Sequence, residues 1–264
     1  MAKKKKMQKN AGVSGKNKAA AALIAYGRKI GRKVIPDMRR KPMDGHKRNA
    51  FFLGVLLDKG IPWEQAWHSG KIIECAFSKD DDPRSLWESI AKSDKERLLL
   101  FFKHGKGGKA FHRFYKEYAQ RFPEIARRML DIYSGDPQNI WKNQRDVRMV
   151  EERLMEFPLI GPALAKMATR LLAENHGLLG GKSSVKKIGI KPDIHVMRVF
   201  KRSGIIEIDG NAADAIHAAE ELHSKYPGAL DTPAWEIGKR YCRPNSPDCN
   251  NCPIDGACIK RLEV

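Results

Sequence analysis

The apolar positions of this chain recur three or four residues apart along most of its length. The spacing is clear at Leu23, Tyr26 and Ile30, and again from Phe51 to Leu57. Side chains with this spacing share one face of an α-helix, so the pattern predicts amphipathic helices. The alternation of apolar and polar positions that marks a half-buried strand is almost absent. We therefore predict an all-α fold.

The predicted helices are punctuated by proline or glycine, which end or restart a helical pattern. Beyond the two stretches above, we expect helices at about residues 63–77, 92–103, 109–120, 123–133, 145–156, 162–174, 193–202, 211–224 and 231–240.

Composition changes along the chain and divides it into parts. Residues 1–17 are dominated by Lys, Gly, Asn and Ser, cannot bury enough apolar surface to order themselves, and are expected to form a flexible basic arm. The stretch 177–192 is the most loop-like internal segment and indicates a change of lobe. We predict a helical bundle from residues 49–175 and a second helical lobe from residues 18–48 and 176–264, with a binding cleft between them.

Charge narrows the choice of partner. The chain has 50 Lys and Arg against 31 Asp and Glu, a formal net charge of +19, and the excess extends beyond the N-terminal arm. A polyanion is the natural partner, but DNA, RNA and an anionic membrane all satisfy this signal. No apolar run approaches the roughly 18 residues that a membrane span needs. We expect a soluble protein of the cytoplasm, associated with the nucleoid if the source is prokaryotic.

Four of the five cysteines lie close together near the C-terminus. Cys242, Cys249, Cys252 and Cys258 are separated by six, two and five residues. Clustered thiols in a chain with so few cysteines indicate a metal site in a reducing compartment. Thiolates suit either zinc or an iron–sulfur cluster. Zinc ribbons and fingers usually have two separated two-residue knuckles, whereas this loop has one, so the spacing favours the iron–sulfur cluster.

A second motif precedes the cysteines. Residues 157–168 interrupt a helical pattern at Gly161 and restart it at once, which predicts a helix-hairpin-helix over about residues 145–174. The amides at the start of the second helix, near Gly161 and Ala163, can hold a DNA phosphate irrespective of base sequence, and the helix dipole favours the anion. Any turn between two helices can contain Gly and Pro, so the hairpin alone is a weak signal.

The segment that follows the hairpin makes the motif specific. It reads Lys-Pro-Asp-Ile-His-Val-Met-Arg-Val from residue 191 to 199. With the hairpin before it and the cysteines after it, this segment resembles the helix-hairpin-helix (HhH-GPD) DNA glycosylases, in particular the endonuclease III-like members that have a four-cysteine iron–sulfur loop. The resemblance covers roughly residues 145–258, and the earlier helices match the family only in being helical.

The resemblance implies roles for these residues. Asp193 is the expected catalytic carboxylate, although an Asp before a helix is also an ordinary N-cap. The four cysteines are expected to ligate a [4Fe–4S] cluster, and the partner is expected to be double-stranded DNA with a damaged or modified base, bound by a monomer. Candidate DNA contacts are the hairpin residues above together with Lys59, Lys106, Lys109, His195, Arg198 and Arg243.

One departure from the family pattern concerns strand cleavage. Family members that also cut the strand through a Schiff base place a lysine four residues after the hairpin glycine, where this chain has Ala165. Lys166 is the next residue, and one step along a helix turns a side chain by about 100°. We therefore favour a monofunctional glycosylase. A glycosylase with lyase activity through Lys166, a non-catalytic DNA-binding protein and an enzyme of DNA hypermodification remain alternatives, and the target base cannot be read from the sequence.

Overall fold

The computed structural model describes residues 2–30, 43–105, 110–179 and 188–262. Within these ranges the regular secondary structure is helical and no strand occurs, which confirms the all-α prediction. The helices are α1 (Ala2–Ile30), α2 (Gly45–Leu57), α3 (Trp63–Phe77), α4 (Pro83–Ala91), α5 (Lys95–His104), α6 (Tyr115–Tyr133), α7 (Gln138–Trp141), α8 (Val147–Met155), α9 (Pro162–His176), α10 (Ile194–Ser203), α11 (Ala212–Leu222) and α12 (Asp231–Arg240), with 3₁₀ turns at Pro227–Leu230 and Asp255–Ala257. None of these helices is long and apolar enough to cross a membrane.

The helices pack into two compact units. One unit, here called the terminal unit, comprises Met1–Arg39 and Arg170–Val264, and the other, the central unit, comprises Arg40–Thr169. The sequence prediction divides the chain at 48/49 and 175/176. Packing places the second division within α9, so the last turns of that helix belong to the terminal unit.

The N-terminal segment differs from the flexible arm predicted for residues 1–17. Its backbone is helical from Ala2 and continues without a break to Ile30. Ala19, Ala20 and Leu23 are buried in the core of the terminal unit and anchor the second half of α1. Extending a helix that is already nucleated costs little, and Lys and Ala are good helix formers, so a segment without a hydrophobic stripe of its own can continue α1.

Helices α6 and α4 also differ from the predicted helices. Pro123 was expected to separate two helices, but α6 continues through it. A proline inside a helix costs about 3 kcal/mol, and burial of Tyr118, Phe122 and Ile125 on either side of it offsets that cost. Helix α4 was not predicted, although its signals are present: Asp82 caps the helix by accepting a hydrogen bond from the Arg84 amide at 2.9 Å, and proline occupies the first helical position.

The core of the central unit depends on a close crossing of α2 and α3. A Cβ atom on Gly54 would lie 2.4 Å from the ring of Trp67, and one on Gly70 would lie 2.9 Å from the amide nitrogen of Gly54. Only glycine allows this approach. The crossing brings Phe51 against Trp67, while Phe52 packs on the other side of α2.

A histidine at the start of α2 joins this helix to α3 and to the loop before α4. His46 Nδ1 lies 2.5 Å from Glu74 Oε1, and His46 Nε2 lies 3.0 Å from Asp81 Oδ1. The hydrogen bond to Glu74, followed by that to Asp81, raises the pKa of His46 above its usual value. The raised pKa means that protonation of His46 stabilises the folded state.

We predict that the stabilisation by His46 is lost in alkaline solution. Because the folded-state pKa is raised, the contribution is fully present below the unfolded-state pKa of about 6.5 and disappears as the pH rises through the folded-state value. The side chain is 42% exposed, so we expect only about 0.5–1 kcal/mol. Urea unfolding should show that His46→Gln lowers the free energy of unfolding more at pH 6 than at pH 9. His68→Gln, at an exposed position of α3, is the control, and equal losses from His46→Gln at both pH values would contradict the assignment.

Candidate active site

Asp193 occupies the N-cap of α10. Its Oδ1 atom accepts hydrogen bonds from the amides of His195 at 2.9 Å and Val196 at 3.0 Å. Asp at this position satisfies amides that the first turn of a helix leaves unpaired, and the helix dipole stabilises its negative charge. Within the described residues Oδ2 has no hydrogen bond, and the side chain is partly exposed. The capping oxygen therefore fixes the carboxylate while the other oxygen stays available to a ligand.

The backbone on both sides of Asp193 is held in place. Before it, the Asp193 amide donates to the carbonyl oxygen of Lys191 at 2.8 Å across Pro192. After it, the backbone of His195 packs against Gly238 of α12, where a Cβ atom would lie 2.8 Å from the His195 carbonyl oxygen. A separation under 3.0 Å leaves no room for a side chain at Gly238, so α10 and α12 can approach this closely only through glycine.

Arg198, one of the predicted DNA contacts, also makes hydrogen bonds within the protein. Its guanidinium donates to the carbonyl oxygens of Cys242 at 2.6 Å and Gly238 at 2.8 Å, and it lies 3.0 Å from His195 Nδ1. These bonds tie α10 to the end of α12 and to the first cysteine. The Arg198 side chain is partly exposed, so its role as a DNA contact stays a prediction. The ring of His195 contacts Trp235 edge to face.

The four clustered cysteines line a single cavity of the terminal unit. Cys242 follows α12, and the 3₁₀ turn at Asp255–Ala257 leads into Cys258. Val199, Ile237 and Ile254 contribute apolar walls. The fold therefore brings together thiols that lie up to sixteen positions apart in the chain.

Hydrogen-bond donors surround the sulfur atoms. Arg202 is only 2% exposed, and its Nη1 lies 3.7 Å from Cys242 Sγ. The same guanidinium donates to the carbonyl oxygens of Arg243 at 2.7 Å and Pro244 at 2.8 Å, which orders the loop between the first two cysteines. At the other end of the loop, the Lys260 amide lies 3.4 Å from Cys258 Sγ. Burial raises the pKa of Cys258, and the hydrogen bond from the Lys260 amide opposes that rise.

The four thiols are of the ligand type that both zinc and iron–sulfur clusters use. Within the described part of the chain, no three His, Cys, Asp or Glu side chains form a group that could hold one metal ion. Burial raises the pKa of Cys252 to about 11, so iron would have to displace protons from the thiols on binding.

The predicted hairpin consists of α8, a short turn and α9. The backbone of Leu159 has a φ of 74°, so the left-handed residue of the turn is Leu159, whereas the sequence analysis placed the tight turn at Gly161. Gly161 instead accepts the first intrahelical bond of α9, from Ala165 at 3.0 Å. Gly161 is exposed, nothing within 4 Å crowds it, and within the described residues the amides of Gly161 and Ala163 have no acceptor. An anion can reach these amides.

Lys166 is turned toward the first helix of the hairpin. Its Nζ lies 3.5 Å from Glu151 Oε2, and the Thr169 hydroxyl lies 3.2 Å from Glu151 Oε1. Burial, partly offset by the charge of Lys166, raises the pKa of Glu151. The Lys166 side chain is 21% exposed, and Ala165 is fully buried. The sequence analysis did not single out Glu151. The available signal was a charged residue at a position where the helical pattern of α8 expects a buried apolar one.

Lys59 forms part of an exposed cationic patch in the central unit. The ring of Phe114, which is 38% exposed, has Arg113 Cζ at 4.5 Å and Lys59 Nζ at 5.9 Å from its centroid. The buried ring of His112 joins the two loops, with Nε2 at 2.8 Å from the Lys59 carbonyl oxygen and Nδ1 accepting from the Phe114 amide at 3.0 Å. The sequence analysis did not single out Arg113 or Phe114. Nothing in the local sequence distinguishes an exposed Phe114 from the aromatic residues of the core.

The remaining predicted contacts are less informative. Arg243 is exposed on the cysteine loop, where its Nε donates to the Ser246 carbonyl oxygen at 3.0 Å. Lys106 and Lys109 lie outside the described residues.

Comparison with known proteins identifies the fold. No protein-family model matches the chain. No curated protein matches it. Solved structures do match, and they define a helix-hairpin-helix DNA glycosylase fold. A non-covalent endonuclease III–DNA complex has a TM-score of 0.61 at 18% identity, covering 90% of this chain and 92% of that one.

Two further structures agree with this identification. A trapped covalent intermediate of endonuclease III with DNA has a TM-score of 0.59 at 18% identity and covers 91% of this chain and 93% of that chain. A thermostable thymine-DNA glycosylase has a TM-score of 0.57 at 17% identity and covers 94% and 97%. At these identities the likeness is one of fold, so the chain is an endonuclease III-like structure whose chemistry must be argued from its own residues.

The metal content of the cysteine cavity can be tested directly. We expect protein purified without oxygen to contain about four irons per chain and to absorb broadly near about 400 nm. Cys252→Ala should lose the iron and destabilise the terminal unit, because a buried ligand loop depends on its metal. Cys75→Ala, at an exposed position of α3, is the matched control and should keep the iron. Stoichiometric zinc without iron would contradict the cluster assignment.

Proposed function

We propose that this protein is a monofunctional DNA glycosylase, which hydrolyses the N-glycosidic bond of a damaged or modified base flipped out of double-stranded DNA. The observation that carries the proposal is the geometry of Asp193: one carboxylate oxygen is fixed by the helix cap, and the other is available, in a fold shared with endonuclease III and thymine-DNA glycosylase. We expect the enzyme to act as a monomer in the cytoplasm, at the nucleoid if the source is prokaryotic.

The carboxylate suits this reaction. Breaking an N-glycosidic bond builds positive charge on the sugar, and a fixed negative charge stabilises the resulting oxocarbenium-like transition state. Asp193 Oδ2 can also orient or deprotonate the attacking water. Because Oδ1 is held by two amides, the charge is positioned before the substrate arrives and needs little reorganisation during the reaction.

The DNA contacts come from several elements. The open amides of Gly161 and Ala163 at the start of α9 can bind a phosphate through the backbone, without reading the base sequence. Lys59 and Arg113 supply cations beside the exposed ring of Phe114, which can stack on a base or fill the space that a flipped base leaves. The net charge of +19 makes binding to DNA phosphates favourable and sensitive to salt.

The cysteine loop supports this arrangement. Cys242, Cys249, Cys252 and Cys258 would hold a [4Fe–4S] cluster, which supplies folding energy to the loop and a redox-active group within it. Arg202 fixes the loop from inside through two carbonyl oxygens, and Arg243 stands exposed on its outer side, where it can reach a phosphate.

The positions of the hairpin lysines support hydrolysis without strand cleavage. The first turn of α9 has no lysine, and Lys166 is engaged with Glu151 of α8. A Schiff base needs an amine that reaches the sugar carbon, and the Lys166 amine lies 3.5 Å from a carboxylate of the neighbouring helix. A glycosylase with lyase activity through Lys166 is the alternative.

We predict that Asp193→Asn separates binding from chemistry. The amide keeps the shape of the side chain and much of the helix cap but lacks the negative charge, so single-turnover base release should fall by about a hundredfold or more. The variant should still fold, keep its iron and bind DNA with near wild-type affinity. Asp209→Asn, an exposed position of the same unit, removes the same charge and should leave all four properties unchanged.

Other results would lead elsewhere. Release of the base at the wild-type rate by Asp193→Asn would exclude the carboxylate mechanism. Unfolding or loss of iron in this variant would make Asp193 chiefly structural and favour a non-catalytic DNA-binding protein.

We predict little covalent trapping on abasic DNA. Borohydride reduces a Schiff base to a stable adduct, so a monofunctional enzyme should give only a background amount of cross-linked protein. Lys166→Ala should not change that background, and Lys142→Ala, at an exposed position of the same unit, serves as its control. Efficient trapping that only Lys166→Ala abolishes would establish the lyase alternative.

A further inference from the structure

A buried carboxylate lies at the first residue of α12. Asp231 is only 2% exposed. Its Oδ1 lies 2.7 Å from Arg170 Nη1, and its Oδ2 accepts a hydrogen bond from the amide of Lys191. Arg170 Nη1 also donates to the Thr232 hydroxyl at 2.7 Å. Burying a charge is costly unless partners satisfy it, and here each oxygen has its own donor.

This carboxylate is connected to Asp193 through the backbone. Asp231 holds the Lys191 amide, and the Lys191 carbonyl oxygen accepts the Asp193 amide at 2.8 Å. Pro192 lies between them and has a fixed φ, so the short segment has little freedom to move independently. Two turns further along α12, Gly238 packs against the backbone of His195. Helix α12 thus contacts the chain on both sides of Asp193.

The guanidinium of Arg170 balances the negative charge of Asp231. Burial raises the pKa of Asp231, Arg170 and the Lys191 amide lower it, and the nearby charge of Asp193 raises it again. Two negative carboxylates repel each other, so a positive partner at Asp231 also favours the nearby negative charge of Asp193. Arg170 is itself largely buried, so the balance is little screened by water.

We propose that Asp231 and Arg170 are positioning residues that hold Asp193 in its reactive place through the Lys191 amide. The proposal rests on the proposed function for its effect on base release, but the contact itself predicts a structural signature that does not need activity. It concerns residues that act through Asp193 and do not touch the DNA.

The decisive variant is Asp231→Asn. An asparagine has the same shape but places an NH2 group where one carboxylate oxygen stood, so either Arg170 or the Lys191 amide would face a donor and must move. Single-turnover base release should fall about ten- to a hundredfold, while DNA affinity and iron content stay within about twofold of wild type. Hydrogen exchange should speed up at the amides of Lys191, His195 and Val196.

A matched control comes from the central unit. Arg48 and Asp136 form a similar, half-buried ion pair through two bonds of 2.8 Å, far along the chain from Asp193. Asp136→Asn should lower stability but leave the rate of base release and the exchange of residues 188–198 unchanged. This comparison separates positioning from a general loss of stability.

A second pair of variants applies if Asp231→Asn fails to fold. Arg170→Lys keeps the charge and a donor, so it should retain base release within about threefold, whereas Arg170→Met should lose it as Asp231→Asn would. Equal rates for the two Arg170 variants would overturn the proposal.

The base-release and hydrogen-exchange experiments together distinguish a positioning role from its absence. Slower base release together with faster exchange at residues 191–196, in Asp231→Asn but not in Asp136→Asn, supports the positioning role. Wild-type base release in Asp231→Asn overturns it, as does a parallel loss of rate and DNA affinity. If the wild-type protein releases no base from any DNA, the proposed function fails, and the exchange experiment still decides: faster exchange supports the positioning of Asp193, and unchanged exchange overturns it.

Discussion

The packing of α12 against the segment around Asp193 is the contact on which the rest of the site depends. At one end of this helix Asp231 binds the Lys191 amide, and two turns later Gly238 admits the backbone of His195. Between these contacts the cap of α10 holds one oxygen of Asp193, and within the described residues the other oxygen has no hydrogen bond. A side chain at position 238 or an unpaired donor at position 191 would move the carboxylate, and transition-state stabilisation is sensitive to displacements of about 1 Å.

Helix α10, which Asp193 caps, is also bonded to the end of α12 and to the cysteine loop. Arg198 leaves α10 one turn after the cap and donates to carbonyl oxygens of Gly238 and Cys242, while Arg202, one turn further on, orders the loop that follows Cys242. Two arginines in a helix of the terminal unit thus donate to protein carbonyl oxygens. A large net positive charge does not mean that every cation faces a polyanion, because part of it stabilises the loop that holds the cysteines.

Periodicity and motif order predicted the helical fold, and they picked out Asp193 and the cysteines as candidates, because local spacing records the helix period and the ligand loop. They did not predict Asp231, Arg170, Glu151 or Phe114. Each of these residues contacts another segment of the chain, as Asp231 contacts the Lys191 amide. A local sequence pattern does not encode such contacts. The continuation of α6 through Pro123 has the same origin, since buried neighbours outweighed the local cost.

We propose that Asp193, in this fold, breaks the bond between a base and its sugar. The most direct measurement is mass spectrometry of the free bases that the purified, iron-loaded protein releases from duplex DNA containing oxidised, alkylated, deaminated or enzymatically modified bases. The account predicts stoichiometric release of one base or a small related group, leaving abasic sites in uncut strands. Protein that is folded, contains iron and binds these duplexes, yet releases no base from any of them, would contradict it.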